Sequence, residues 1–161
     1  MLTTKNNQKG FTIVELLIVI VVIGILAALV INTFTGVQKR ARDSERQTDI
    51  KAVASQLEKY YADNTTYPLR DTQLNTDAWI QANLQGMPLE AARAPGQAAN
   101  TFTIGTDTVA AQSAPTALTY GYIPLEADGS TVCAAAPCEK FKLYYWSEKD
   151  NAVAASVNSS N

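Results

Sequence analysis

Histidine is missing from all 161 residues, and with it go the commonest general base, the commonest neutral metal ligand and every triad built on imidazole. Cysteine is nearly missing as well. The two thiols, Cys133 and Cys138, cannot form a structural zinc site alone, and the intervening Ala-Ala-Ala-Pro suits a small disulfide loop better than a redox pair. A bridge there implies an oxidising compartment; a reduced, buried pair is the alternative. Nor is there an excess of either charge. Lys and Arg number 13 against 15 Asp and Glu, a formal net charge of −2, so nothing favours nucleic acid as the main partner. These absences weaken most hydrolase readings and argue against a zinc site. The chain reads as a non-enzyme with no cofactor and no metal, of a length that suits one small domain plus an anchor.

What is present is concentrated at the N-terminus. A polar, lysine-bearing decapeptide, MLTTKNNQKG, meets a run in which every residue from Leu16 to Ile31 is apolar or glycine. With Phe11, Ile13 and Val14 added, the run matches the roughly 20 residues that span a bilayer. A secretory signal peptide has a shorter core, roughly 7–15 residues, and a small-x-small cleavage site; a plain N-terminal anchor is the other competitor. Glu15 discriminates between them. A carboxylate inside a membrane helix costs roughly 2.5–3.5 kcal/mol on insertion scales and is expected to be paired or functional. The nearby cations, Lys5 and Lys9, lie on the water side of the run. If the chain is cut after Gly10, Phe11 acquires a free α-amino group and stands at i to the i+4 of Glu15, one helical turn away. That amine, from the same chain or a neighbouring one, relieves the burial of the acid only in the correct axial register.

The stretch Lys9-Gly10-Phe11-Thr12-Ile13-Val14-Glu15-Leu16-Leu17-Ile18 resembles the class III signal of type IV prepilins. The resemblance implies that a membrane prepilin peptidase cuts after Gly10 on the cytoplasmic face and methylates Phe11, and that Glu15 guides each subunit onto a growing filament. It also implies the partners: identical or related pilin subunits in a helical homopolymer, the peptidase, an assembly platform in the cytoplasmic membrane, and membrane lipid before assembly. The subunit then starts as a single-pass protein with its leader in the cytoplasm and ends in an extracellular pilus. Many family members carry a proline where the apolar run ends; Ile31-Asn32-Thr33-Phe34 has none, and Gly24 is the weak point of the helix. Lys39, Arg40, Arg42 and Arg46 follow the run, which by the positive-inside rule would place that side in the cytoplasm. The leader's need to meet a cytoplasmic-face peptidase overrides this count, as do the intervening Asp43 and Glu45.

From Val37 to Tyr61 there is neither proline nor internal glycine, and Val37, Ala41, Ile50, Val53, Ala54, Leu57, Tyr60 and Tyr61 form one apolar stripe at helical spacing. Lys39 with Asp43, Arg42 with Glu45 and Arg46 with Asp49 are spaced as pairs on an exposed face, either solvated or shared between filament subunits. The helix from Phe11 to about Tyr61 would be roughly 75 Å long, more than twice the hydrocarbon thickness. Asn64 suits a left-handed cap and Pro68 stops the helix. The exit Tyr60-Tyr61 and Tyr67-Pro68 also resembles that of pilins and of the related pseudopilins of secretion systems.

Beyond it, Asp77 to Leu84 reads as a short helix capped by Asp77, and Pro88 to Pro115 as irregular or weakly stranded. Strands are expected at Ala117 to Ile123 and Lys140 to Ser147, antiparallel, with a turn at Asp128-Gly129. The tail from Asn151 should be mobile or form a last edge. The expected fold is thus α+β: a long N-terminal helix, transmembrane in its first half and amphipathic in its second, packed on a small C-terminal antiparallel sheet by a Tyr, Phe and Trp face. The expected segments are a leader at 1–10, a membrane or filament-core helix at 11–31, its amphipathic continuation at 32–62, and a globular head at 63–161. By resemblance, a Cys133–Cys138 bridge is a smaller counterpart of the disulfide loop of many pilins, pinning the local turn.

Three weak signals complete the reading. Asn64-Thr65-Thr66 and Asn158-Ser159-Ser160 match the glycosylation triplet, as a chain rich in these residues will by chance. Tyr144-Tyr145-Trp146 offers stacking faces but is also what a sheet core needs. Asp107, Glu126, Asp128 and Glu139 lack calcium-loop spacing. The expected function is therefore structural: a type IV pilus subunit, with adhesion, twitching motility or DNA uptake open among its roles. A pseudopilin of a secretion or DNA-uptake system is the near alternative, and a membrane-anchored binding module or enzyme the distant one.

Overall fold

The computed structural model describes residues 10–69, 74, 76–99, 102–104 and 115–160; Asp107 and Val109 lie outside them. The chain divides into two compact units, one ending at Gln38 and the other Lys39–Asn161.

Helix α1 runs Ile13–Asn64 through both units, starting two residues later and ending three later than expected. In the first unit its large apolar side chains are all exposed, from Phe11 through Leu16, Ile25 and Ile31 to Phe34 and Val37. The apolar surface thus runs past Ile31 to Val37. Val37 and Ala41 are exposed and do not join the buried stripe assigned to them.

In the second unit the stripe is real from Ile50 onward: Ile50, Val53, Ala54 and Leu57 are buried, with Tyr60 and Tyr61 packed against the same cluster. The left-handed residue at the helix end is Thr65 (φ 55°), one later than expected. Its amide donates to the Tyr61 carbonyl at 2.7 Å. Asn64 is the last helical residue, and its side-chain amide adds a second donor to the Tyr60 carbonyl at 2.9 Å. Helix α2, Asp77–Asn83, is preceded by Thr76 at the cap position, not capped by Asp77; the Asp77 carboxylate instead meets Arg93 at 2.8 Å.

The sheet has strands β1 (Phe102–Ile104), β2 (Tyr120–Leu125), β3 (Lys140–Ser147) and β4 (Ala152–Asn158) in that order. β2, β3 and β4 form the expected antiparallel meander, with the tail as its edge, and β1 adds a short parallel strand on the other side. β2 begins three residues late because the Thr119 amide donates to the Thr116 carbonyl at 3.1 Å, folding those residues into a turn. Along β3, Phe141, Leu143, Tyr145 and Ser147 are buried, while Lys140, Lys142, Tyr144 and Trp146 point to the other face. Strand alternation therefore keeps Trp146 out of the core expected to hold it.

Tyrosines fill that core and anchor it through their hydroxyls: Tyr122 donates to the Pro68 carbonyl at 2.8 Å and Tyr120 to Asp49 at 2.8 Å. Burial raises the Tyr122 phenol well above its usual range, and burial together with Asp49 raises that of Tyr120. Cys133 and Cys138 are bridged (S–S 2.07 Å) and fully buried. The loop holds more than its own turn. Cys133 donates its amide to Pro124 in β2, and Cys138 exchanges bonds with the helix exit, accepting from the Tyr67 amide at 2.8 Å and donating to the Thr66 hydroxyl at 2.8 Å. In the expected Asp128-Gly129 turn, Asp128 accepts from the hydroxyls and amides of Thr131 and Ser130. These donors, Thr131 first, hold its carboxyl far below the usual range.

Candidate functional site

Two places carry chemistry, one in each unit. The first is the start of α1. Thr12 precedes the first helical residue, and its amide and hydroxyl each donate to Glu15 Oε2 at 3.3 Å, while the Glu15 amide donates to Thr12 Oγ1 at 3.2 Å. This is a reciprocal capping box: the side chain at the cap and the acid three residues on satisfy each other's backbone donors. Thr-Ile-Val-Glu has the S/T-x-x-E pattern, so the box was readable in the sequence but was not read there. A negative charge in the first turn is also favoured by the helix dipole. Glu15 thus has a local partner before any second chain is present. Phe11 is 81 % exposed, and a side-chain atom placed on Gly10 would meet nothing within 4 Å. The bond between them is sterically open. Gly10, Phe11 and Glu15 lie together at one helix start, followed by an uninterrupted apolar surface. This end of α1 is long and apolar enough to cross a membrane.

The second place lies within the second unit, where α1 meets the turn between β3 and β4. Asp43 accepts from the amides of Glu148 and Lys149, both at 2.9 Å, and from the Ser147 hydroxyl at 3.2 Å. It therefore caps the turn that joins β3 to β4. Arg46 is 1 % exposed and donates to Asp43 at 3.0 Å, to Glu148 at 2.6 Å and to the Ala117 carbonyl at 2.9 Å. Arg42 makes a two-pronged pair with the same Glu148, at 2.9 and 2.5 Å. The Arg42 hydrogen bond, with Arg46 assisting against some burial, holds the Glu148 carboxyl down to about 2. Burial works against ionisation of Asp43, but the turn amides, Ser147 and Arg46 outweigh it and keep that carboxyl below its usual range.

The expected pairing of Arg42 with Glu45 and Arg46 with Asp49 is therefore replaced. Both arginines turn to Glu148, and Asp49 takes the Tyr120 hydroxyl. The signal was present in the spacing, since Arg46, Ile50, Val53 and Leu57 fall on one face at steps of four, three and four. Reading Arg46 as solvated took its charge as proof of exposure. The partner, Glu148, is 102 residues away and carried no local signal. Among the described residues no group of three or more acidic, histidine or cysteine side chains could hold a metal ion.

Comparison with known proteins bears on the first place. A family model described as the prokaryotic N-terminal methylation motif matches residues 5–31. That match is confined to the N-terminal segment, where the resemblance to the class III signal of type IV prepilins also lies. The chain is similar to type II secretion system core protein G of Dickeya chrysanthemi, 39 % identical over 70 residues, covering 44 % of this chain and 46 % of that protein. The Pseudomonas aeruginosa protein of the same name is 38 % identical over 77 residues, covering 48 % and 53 %, and that of Escherichia coli 37 % over 71 residues, covering 44 % and 49 %. The chain spans about half the length of the curated relatives it matches. No solved structure matches it. The methylation motif accounts for the prepilin-like N-terminus and the membrane-suited helix, and the relatives lie on the secretion branch, the alternative reading, ahead of the pilus first expected.

Proposed function

We propose that the chain is a pseudopilin-type subunit of a secretion-system filament, made as a membrane-anchored precursor, cut after Gly10, methylated at Phe11 and assembled through its apolar helix. The observation that carries this reading is the pairing of that N-terminal similarity with a helix whose large apolar side chains, Phe11 to Val37, are exposed among the described residues. An exposed apolar surface of that extent calls for lipid or for other copies of itself. In the bilayer, lipid covers it; in a filament, neighbouring helices do. Assembly in place of turnover is the activity, and the partners are related pseudopilin subunits, the prepilin peptidase and an assembly platform in the membrane.

Glu15 acts in this scheme as the docking acid. Its capping bonds to Thr12 lower the cost of holding a carboxylate in lipid, and the new amine of a Phe11 on a neighbouring chain supplies a full countercharge in their place. The exchange is favourable only where the two chains are in register, because a unit charge pair in a low-dielectric surrounding weakens steeply with separation. Gly10 serves the preceding step, giving the peptidase an unhindered backbone at the bond to be cut.

The test is the intact mass and location of the chain in its native host. A mass beginning at Phe11 with one added methyl, recovered with the membrane and not in sheared fibres, is the expected result. The Cys133–Cys138 bridge favours a second reading, the type IV pilus, for which the same processed mass would appear in abundant extracellular fibres. An uncut chain would overturn both.

A further inference from the structure

We propose that the groove where α1 meets the β3–β4 turn binds the phosphate of an anionic phospholipid. The groove, of about 350 Å³, is lined by Lys39, Arg42 and Arg46 from α1, by Leu118, and by Trp146 and Glu148 at the end of β3. Arg42 and Arg46 are held there by Glu148, and Arg46 also by Asp43, whereas Lys39 has no ion pair among the described residues. The positive charge left over on this wall is therefore that of Lys39. Beside it Leu118 is 57 % exposed and Trp146 stands on the sheet face turned away from the core.

A lysine and a tryptophan next to an exposed apolar side chain are groups that settle at a membrane interface. Lysine meets phosphate oxygens as a point charge. Lys39 follows Val37, the last of the exposed large apolar residues of α1, by two positions, about 3 Å of helix rise. A carboxylate of a second copy would satisfy Lys39 equally well but would leave Leu118 and the Trp146 ring in water. The lipid reading uses both. It rests on the apolar helix entering a bilayer and not on the secretion assignment, so either can fail alone.

The probe is phosphatidylglycerol brominated high on its acyl chains, diluted into phosphatidylcholine vesicles that carry the full chain. The chain has two tryptophans, and in Trp79→Phe the remaining emission reports Trp146. Quenching should exceed that by the same fraction of brominated phosphatidylcholine, in line with the roughly fivefold local enrichment that one lysine gives at an anionic surface. The excess should vanish in Lys39→Glu, fall in Lys39→Gln and shrink in high salt. Near-UV circular dichroism of the buried tyrosines checks that each variant is folded; if Trp79→Phe is not, subtracting Trp146→Phe from the native chain reads the same quantity. Equal quenching by the two lipids would overturn the proposal, as would an excess that survives Lys39→Glu. So would a Lys39-dependent contact between copies with no lipid selectivity, which would assign the groove to a second subunit.

Discussion

Arg46→Ala is the perturbation that the head should feel most. The native side chain is 1 % exposed and serves three acceptors: Asp43 at 3.0 Å, Glu148 at 2.6 Å and the Ala117 carbonyl at 2.9 Å. Removing one partner of a buried ion pair costs about 3–5 kcal/mol. Two features moderate the figure here, because Glu148 keeps Arg42 and Asp43 keeps the turn amides. Against that, the Ala117 carbonyl loses its guanidinium donor and the aliphatic stem leaves a void. We expect a net loss of about 3 kcal/mol. The assay is urea unfolding of the full chain in detergent micelles, followed by the near-UV signal of the buried tyrosines. The decisive quantity is the coupling to Glu148→Gln. Residues in one ion-pair network deviate from additivity by about 0.5–3 kcal/mol, so the double variant should lose clearly less than the two single losses combined. A loss below about 1 kcal/mol for Arg46→Ala, the level of surface ion pairs, would refute the reasoning, as would strict additivity. Either would return the basic cluster to a solvated helix face.

The same network sets an acid limit. With Glu148 held at about 2 and Asp43 also lowered, their contribution is complete above the unfolded carboxylate range and is lost as pH falls toward 2. Discounted for solvent screening, the Glu148 share is about 1–2 kcal/mol, and Glu148→Gln should flatten that limb of the stability curve. Cys133→Ser with Cys138→Ser should cost about 2 kcal/mol by loop closure and should lower hydrogen-exchange protection at Tyr67, whose amide bonds Cys138. Glu15→Ala should leave cleavage and membrane insertion nearly intact while lowering filament yield; normal filaments would remove the docking role. A bulky residue at Gly10 should trap the uncut precursor, and continued cutting at the same bond would count against the peptidase assignment.

How much was legible depended on whether a signal was local. The apolar run, the long helix, its stop before Pro68 and the β2–β3 pair all follow from patterns confined to a few turns or one hairpin, and each appears within a few residues of its expected place. Glu15 was singled out because a carboxylate in an apolar run is costly wherever it sits. The errors have physical causes of two kinds. Val37 and Ala41 match the helical period but are exposed, because they come before Arg46, the first buried position of α1, and the period had nothing to bury them against. Trp146 matches the aromatic content of a core strand but has the wrong parity, since Phe141, Leu143 and Tyr145 fix which face is inward. Thr12 was passed over because Glu15 was weighed only against positive charges, although a neutral cap three residues earlier is an equally direct partner.

The basic residues behind the apolar run show how a count of charges and a fold can part company. Lys39, Arg40, Arg42 and Arg46 taken as free cations oppose the orientation that cleavage after Gly10 demands. In the folded head Arg42 and Arg46 are claimed by Glu148, and Arg46 also by Asp43, so two of the four serve to fasten the β3–β4 turn to α1. That arrangement can form only after the β3–β4 turn has been made, since Glu148 lies 102 residues downstream of Arg46. The positive-inside preference acts earlier, on the chain as it inserts. In the proposed processing the orientation is then decided by the leader side, where Lys5 and Lys9 flank the run, and the later fold makes that choice hard to reverse. In that scheme, placing Arg42 and Arg46 on the cytoplasmic side would require breaking a buried pair and carrying a folded head through the bilayer.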